Sequence, residues 1–599
     1  MSETLRSREE IPQEYKWRLE DIFASDQDWE TMFSETEKMI GLFAKYQGQL
    51  AGGADIFVEC MEWADRFGQN LEELFTYARM RRDEDNRISR YQGMTDRATM
   101  LSVQAGSALS FIVPEILAIP DERLSEIRSD VRLQVYHHYL ENILRQKQHV
   151  LSLAEEKILA ETSELASAPS TIFSMANDAD LKIGPIEDEE GREIELTKGN
   201  FIRYMESKDR RVRQDAFTTL YAAYGKQINS WAAMLGASVK ADVFYARVRH
   251  YDSAIQGTLD DDKVPLSVYD ALIQTVHDYL PQFQRYIQLR KKVLGVAELH
   301  MYDIYVPFVP EMDAHIPFEE AKSIVREGLK PLGEEYLEIL DEGFRSGWID
   351  IYENIGKTSG GYSWGTYSSH PYVLLNHQNT LDSLFTLAHE MGHSLHTYLS
   401  NKNQTHLYAG YKIFVAEVAS TLNESLVMRH MINASSDNKM KAYLINHYLE
   451  QFRGTVFRQT MFAEFEKEIH AAAERNESLT ADYLSKIYRD LNLKYFGPDI
   501  VLDEQINIEW TRIPHFYNAF YVYKYATGFS AATALAQQIV REGEPAVQRY
   551  LAFLSSGGSD YPIELLRKAG VDMEKPEPVK QALDVFVELL DQLEKLVGE

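Results

Sequence analysis

The sequence predicts a nearly all-α protein with one small sheet. Three observations predict it: long stretches with apolar residues at three- and four-residue spacing, sparse proline and glycine, and only two stretches where that period fails. Prolines sit mainly at breaks, such as Pro114, Pro120, Pro265 and Pro576.

Near the N-terminus the helical period runs through "EDIFASDQDWETMFSETEKMIGLFAKYQ" and "LEELFTYARMRRDEDNRISRYQGMTDRATMLSVQ". It returns in "VRLQVYHHYLENILRQ", "ADYLSKIYRDLNLKYF" and "VKQALDVFVELLDQLEKLV". The first exception, "LKIGPIEDEEGREIELT" (Leu181 to Thr197), alternates apolar and polar residues around a Glu-Glu-Gly turn and reads as a hairpin. It marks the expected boundary between an N-terminal helical region, 1–200, and a larger C-terminal body, 201–599. The second, "SGGYSWGTYSSHPYVLLNH" (Ser359 to His377), reads as extended chain. Its Pro371 points to an edge strand, because proline cannot donate to an interior ladder.

Composition narrows the function. The chain has 599 residues, and its 92 acidic against 62 basic residues give a formal charge of −30. That balance argues against nucleic acid or an anionic membrane as partner, since both reward basic patches. One cysteine, Cys60, excludes an intramolecular disulfide and a cysteine-built zinc cage, and reads as a small buried hydrophobe. No secretion signal is expected from "MSETLRSREEIP", and no run approaches the roughly 18 apolar residues of a membrane span. A cytoplasmic location is the expectation; oligomeric state is not legible.

Directly after the second extended stretch comes "TLAHEMGHSLH", Thr386 to His396. The segment Leu381 to Ser400 reads as one helix, with Asn379 as its cap and Asp382 in the acidic capping-box position. His389 and His393 are four apart and project from one face. Glu390 lies about 100° round the helix, placed to act on a water without ligating a metal. This is the H-E-x-x-H arrangement, two imidazoles for zinc with a glutamate as general base. With 17 histidines in the chain, about 0.05 chance matches are expected. Gly392 costs the helix about 1 kcal/mol relative to alanine, which makes sense if another backbone approaches closely there; a harmless glycine is the competing reading.

A catalytic zinc normally takes three protein ligands. His396 shares the helix face, but it lies about 10 Å further along the axis than His389. Glu417, a lone carboxylate in the apolar run Ile413 to Ala419, is the stronger candidate, because a buried carboxylate needs a cation or donors. Glu424 and Asp382 are each placed to orient a ligating histidine, though each also reads as a surface carboxylate. Downstream, "TRIPHFYNAFYVYKYATGFS" carries His515 with tyrosines 517, 521, 523 and 525, expected on a helix after Pro514. An aromatic stripe of this kind is usually core; four hydroxyls to satisfy make a polar cleft wall the competing reading.

Four stretches, in order, carry a family resemblance: "SGGYSWGTYSSHPYVLLNH", "TLDSLFTLAHEMGHSLH", "FVAEVASTLNE" and "RIPHFYNAFYVYKYATG". The chain resembles oligoendopeptidase F, of the thimet oligopeptidase family of zinc metallopeptidases. The resemblance implies a mostly helical, two-lobed ellipsoid with a deep central channel and a small sheet beside the active-site helix. It implies internal cleavage of short unstructured oligopeptides with one Zn2+ per chain, held by His389, His393 and Glu417, and Glu390 as general base. It implies transition-state donors at His515 and the following tyrosines, of which Tyr517 and Tyr523 are the choices here. The strand around His370 to Leu375 would pair with the substrate backbone. The rival within the class is a peptidyl-dipeptidase or carboxypeptidase of related helical architecture.

Overall fold

A computed structural model of the chain describes residues 5–309 and 315–598. Helices dominate, and those that bear on the site are α1 (Ala54–Glu84), α2 (Ser89–Leu109), α3 (Ile228–Val248), α4 (Leu266–Leu294), α5 (Leu381–Asn403), α6 (Ile413–Ala434), α7 (Arg458–Glu474) and α8 (Tyr523–Glu542). The strands are short: β1 (Gly184–Glu187), β2 (Glu193–Leu196), β3 (Leu299–His300), β4 (Ile349–Asp350), β5 (Tyr362–Trp364), β6 (Tyr372–Leu374) and β7 (Ile500–Val501). The fold is mostly α, as the periodicity predicts.

Packing divides the chain into two compact units, each assembled from three stretches: Met1–Gln148, Asp313–His430 and Leu535–Gly570 in one, and His149–Met312, Met431–Ala534 and Val571–Glu599 in the other. Each unit therefore draws on stretches from both sides of residue 200. The reason is that the chain leaves and re-enters each core, so neighbours in space are distant in sequence.

In the first unit, α1 and α2 pack as a hairpin, although the sequence period runs unbroken between them. The break falls at Asp85–Ile88, where Asn86 N donates to the Gly356 carbonyl at 2.8 Å and takes the turn out of helical register. Leu74, Tyr77 and Met80 of α1 and Met94, Ala98 and Leu101 of α2 close a core with Trp17, Trp29 and strand residues Tyr372 and Leu374. Cys60 is buried in the neighbouring cluster, as expected. The stretch Ser89–Ala118 contains an 18-residue window of mean hydropathy 1.4, long and apolar enough by composition to cross a membrane. The expectation that no such run exists is corrected; its buried residues pack into the two clusters named above.

The sheet of this unit has the order β4-β6-β5, with β6 parallel to β4 and antiparallel to β5. The strand after Pro371 is thus central and fully buried, and the expectation of an edge strand over His370 to Leu375 is wrong. Pro371 is tolerated because it precedes the first ladder residue, Tyr372, where no N–H is needed. The outer strands are β4 and β5; in β5, Tyr362 pairs with Leu374 and Trp364 with Tyr372. Behind the sheet, buried Lys357 Nζ contacts the Asp350 carboxylate at 2.7 Å and donates to the Leu375 carbonyl at 2.6 Å, tying β4 to the chain leaving β6.

In the second unit, β1 and β2 form the expected antiparallel hairpin, Gly184 opposite Leu196. The predicted segments 481–496 and 579–597 are helices Ala481–Phe496 and Glu577–Gly598. Glu509, fully buried, sits between Arg458 and Arg512 at 2.7 Å each; the paired guanidinium groups hold it ionised against its burial.

Candidate active site

Helix α5 starts at Leu381, as the sequence suggests, but under a different cap. Its cap is Thr380, whose hydroxyl accepts from Ser383 N at 3.2 Å. Asn379 instead adopts φ +58°, turning the chain into the helix, and Asp382 is exposed. From there α5 carries His389, Glu390 and His393 against α6, which carries Glu417 and Glu424.

The two helices touch at a glycine. A Cβ on Gly392 would lie 2.6 Å from Ser420 Cα and 2.7 Å from the Ala419 carbonyl oxygen. Both are backbone atoms, so only glycine permits this approach. The proximity carries Glu417 to the histidines.

His389 Nε2 and His393 Nε2 are 3.2 Å apart, and Glu417 Oε2 is 3.4 Å from the first and 3.5 Å from the second. Ligands about 2.0–2.1 Å from a tetrahedral ion are separated by about 3.4 Å. The triangle therefore fits one zinc-sized ion, and these three residues are a candidate metal cluster among the described residues. Burial disfavours charge on Glu417, yet the two imidazoles hold it well below the usual carboxylate range. His389 is likewise disfavoured as a cation by burial, but Glu417 and Glu424 push it up to about 10.

Glu424 Oε1 lies 2.5 Å from His389 Nδ1, which makes Glu424, and not Asp382, the carboxylate that orients this ring. Glu390 is buried, and burial raises its pKa above the ordinary carboxylate range. The other third-ligand candidate, His396, is buried and stacked flat on Tyr411 with ring centroids 3.7 Å apart. Burial lowers its pKa to about 3, so it is a neutral core imidazole. Ser394 of α5 and Ser363 of the edge strand share a hydrogen bond of 2.8 Å, which ties β5 to the motif helix.

His515 and its tyrosines lie in the second unit. They are not on one helix: Pro514–Tyr517 is a single 3-10 turn, and α8 begins only at Tyr523. Between them Phe520 takes φ +55°. The rings that gather round His515 are Tyr525, with its hydroxyl 3.3 Å from His515 Nε2, and Tyr521, stacked at 6.2 Å. Tyr517 stacks on Phe173 at 4.3 Å, and Tyr523 is fully buried against Tyr269. Tyr525 and Tyr521, rather than Tyr517 and Tyr523, are therefore the rings beside His515, because the non-helical turn resets the register by which side chains share a face.

A helical fold with a His-His-Glu triangle beside a buried glutamate defines a metallopeptidase site. The comparisons agree. The model of peptidase family M3 matches residues 203–585, and that of the oligopeptidase F N-terminal region matches 115–183. The chain belongs to peptidase family M3 and is a metallo-oligopeptidase. It is 48% identical over 594 residues to oligopeptidase PepF of Bacillus subtilis, covering 99% of this chain and 89% of that protein. It is 41% identical to an oligoendopeptidase F homolog of Lactococcus lactis, covering 99% of each. Among solved structures, oligoendopeptidase F from Enterococcus faecium superposes with TM-score 0.74 at 38% identity, covering 96% of this chain and 99% of that one.

Proposed function

We propose that the protein is a zinc-dependent endopeptidase that cuts internal bonds of short, unstructured oligopeptides. The observation that carries this reading is the 3.2–3.5 Å triangle of His389, His393 and Glu417, whose edges match tetrahedral zinc. The donor set, two imidazoles and one carboxylate, leaves the fourth position for water or substrate. A zinc ion there supplies a Lewis acid and brings the pKa of a water toward neutrality. Glu390 takes the proton from the attacking water and returns it to the leaving amine nitrogen. Its pKa, raised by burial, makes it a stronger base toward that water than an ordinary carboxylate. Glu424 fixes the ring of His389 through Nδ1. His515 and Tyr525 are the proposed donors to the carbonyl oxygen as negative charge grows on it. The free edge of β5, Tyr362–Trp364, is the strand for an extended peptide to pair with, replacing the central strand in that role.

A cytoplasmic location belongs to the proposal, supported by the −30 charge and the single cysteine. So does the sequence-level division at residue 200, supported by family models that meet between 183 and 203.

The test uses a peptide blocked at both ends. Internal cleavage that is lost on chelation and restored by zinc is expected. Cleavage only of peptides with a free C-terminal carboxylate would favour a peptidyl-dipeptidase or carboxypeptidase instead. In the same assay Glu390→Gln should keep its metal and lose about a hundredfold or more in kcat.

A further inference from the structure

The turn that joins His515 to α8 is held by a carboxyl that the peptidase chemistry leaves unused. Phe520, at φ +55°, adopts a left-handed conformation that a bulky side chain rarely takes. Its ring is buried against His470 at 4.5 Å and Tyr269 at 6.0 Å. Its backbone N–H has left the helical pattern and finds one acceptor, Glu466 Oε1, at 3.0 Å.

Glu466 lies on α7 and is fully buried. No cation pairs with it among the described residues, and its Oε2 has no hydrogen-bond partner there. The polar groups around it offer no counter-charge. Asp242 of α3 is a like charge and is itself bonded to His470 Nε2 at 3.1 Å. His470 directs Nδ1 to the Glu466 backbone carbonyl at 2.8 Å, and Tyr269 of α4 donates to the Ala463 carbonyl at 2.6 Å. Burial, and then Asp242, push this carboxyl well above its ordinary range, against the Phe520 N–H, so the neutral form is favoured. Its carbonyl oxygen remains free to accept from Phe520.

On either side of this contact lie the two groups that must stay in register. Asn518 N closes the His515 turn on the His515 carbonyl at 2.9 Å, and Tyr525 sits on the first turn of α8. The His515 Nε2 to Tyr525 hydroxyl distance of 3.3 Å spans the turn that Phe520 anchors. We propose that Glu466 is a positioning residue of the peptidase, holding the Phe520 turn so that His515 and Tyr525 keep their relative placement. This rests on the reading that His515 and Tyr525 act on the transition state.

The test compares Glu466→Ala, Glu466→Gln and His515→Ala in the full-length, zinc-loaded enzyme. Three quantities are read: kcat and KM on a blocked peptide, hydrogen exchange of the peptide covering 515–525, and thermal stability from pH 5 to 8. Glu466→Ala should lower kcat about tenfold or more with KM little changed, and should speed exchange across 515–525, at unchanged zinc content. Glu466→Gln should restore both, because its amide carbonyl accepts the same N–H.

The pH arm reads the neutral carboxyl directly. A folded-state pKa raised above the unfolded value gives stability that is present at low pH and lost as pH rises toward the folded pKa. Glu466→Gln, which cannot ionise, should therefore outlast the parent most at pH 8, with the gap closing toward pH 5. Where Glu466→Ala does not fold, Glu466→Asp, one methylene short of Phe520 N, reads the same contact. Parental kcat in the Ala and Asp variants, with His515→Ala impaired, overturns the positioning role and leaves the His515 reading standing. Parental kcat in His515→Ala overturns that reading and the positioning role with it. Failure of Gln to restore kcat overturns the neutral-acceptor contact.

Discussion

Glu424 Oε1 and His389 Nδ1 are 2.5 Å apart, a contact that turns the imidazole so that Nε2 faces His393 and Glu417. Without it, the ring is free to rotate away. Glu424→Ala should weaken zinc binding about 10- to 100-fold while leaving the three ligands in place. Titration with a zinc buffer checks this, and excess zinc should recover most of the activity. Unchanged affinity would make Glu424 a bystander.

The two candidates for third ligand separate cleanly. Glu417→Ala removes one corner of the triangle and should abolish stoichiometric zinc by elemental analysis. His396→Ala should retain it, because that imidazole is stacked on Tyr411 within the core. The His396 variant should lose stability instead, by about 2–4 kcal/mol as for other large-to-small core changes. Zinc lost from the His396 variant and kept by the Glu417 variant would reverse the assignment.

Gly392→Ala tests the helix approach. The added methyl would meet Ser420 Cα at 2.6 Å and Ser420 N at 2.9 Å, neither of which can move without α6. The expected outcome is a folded but destabilised protein, by about 3 kcal/mol at the upper end of overpacking costs, with zinc affinity reduced. Parental affinity would mean that the helices part without shifting Glu417.

The tyrosines give a fourth measurement. Tyr525→Phe deletes the hydroxyl 3.3 Å from His515 Nε2 and should lower kcat about 10²- to 10³-fold, the range for one oxyanion donor. Tyr523→Phe, in the closed core beside Tyr269, should change kcat little. A large loss in the Tyr523 variant with a silent Tyr525 would restore the register read from the sequence.

What the sequence determined by itself was chemistry that rides on local spacing. His389, Glu390 and His393 share a helix, so their relation follows from 3.6 residues per turn and needs no knowledge of the rest of the chain. Glu417 was legible for a related reason: a charge inside an apolar run must meet a partner somewhere. The helical class followed from the same period, and the 181–197 hairpin from its alternation.

Tertiary structure decided everything that depends on which segments meet. Glu424 and Asp382 stand at equal spacing from sites on α5 and α6, and only the packing at Gly392 brings one of them to His389. The strand 372–374 carries a proline signal for an edge, yet β4 arrives from residues 349–350 to cover it, and no local pattern announces that neighbour. The tyrosines after His515 read as one helix because apolar and aromatic spacing cannot register a left-handed residue. Phe520 turns the chain there because Glu466, 54 positions earlier, supplies the acceptor that the turn requires. Local spacing encodes what one element presents; pairing across long separations is settled by burial and hydrogen-bond satisfaction over the whole core.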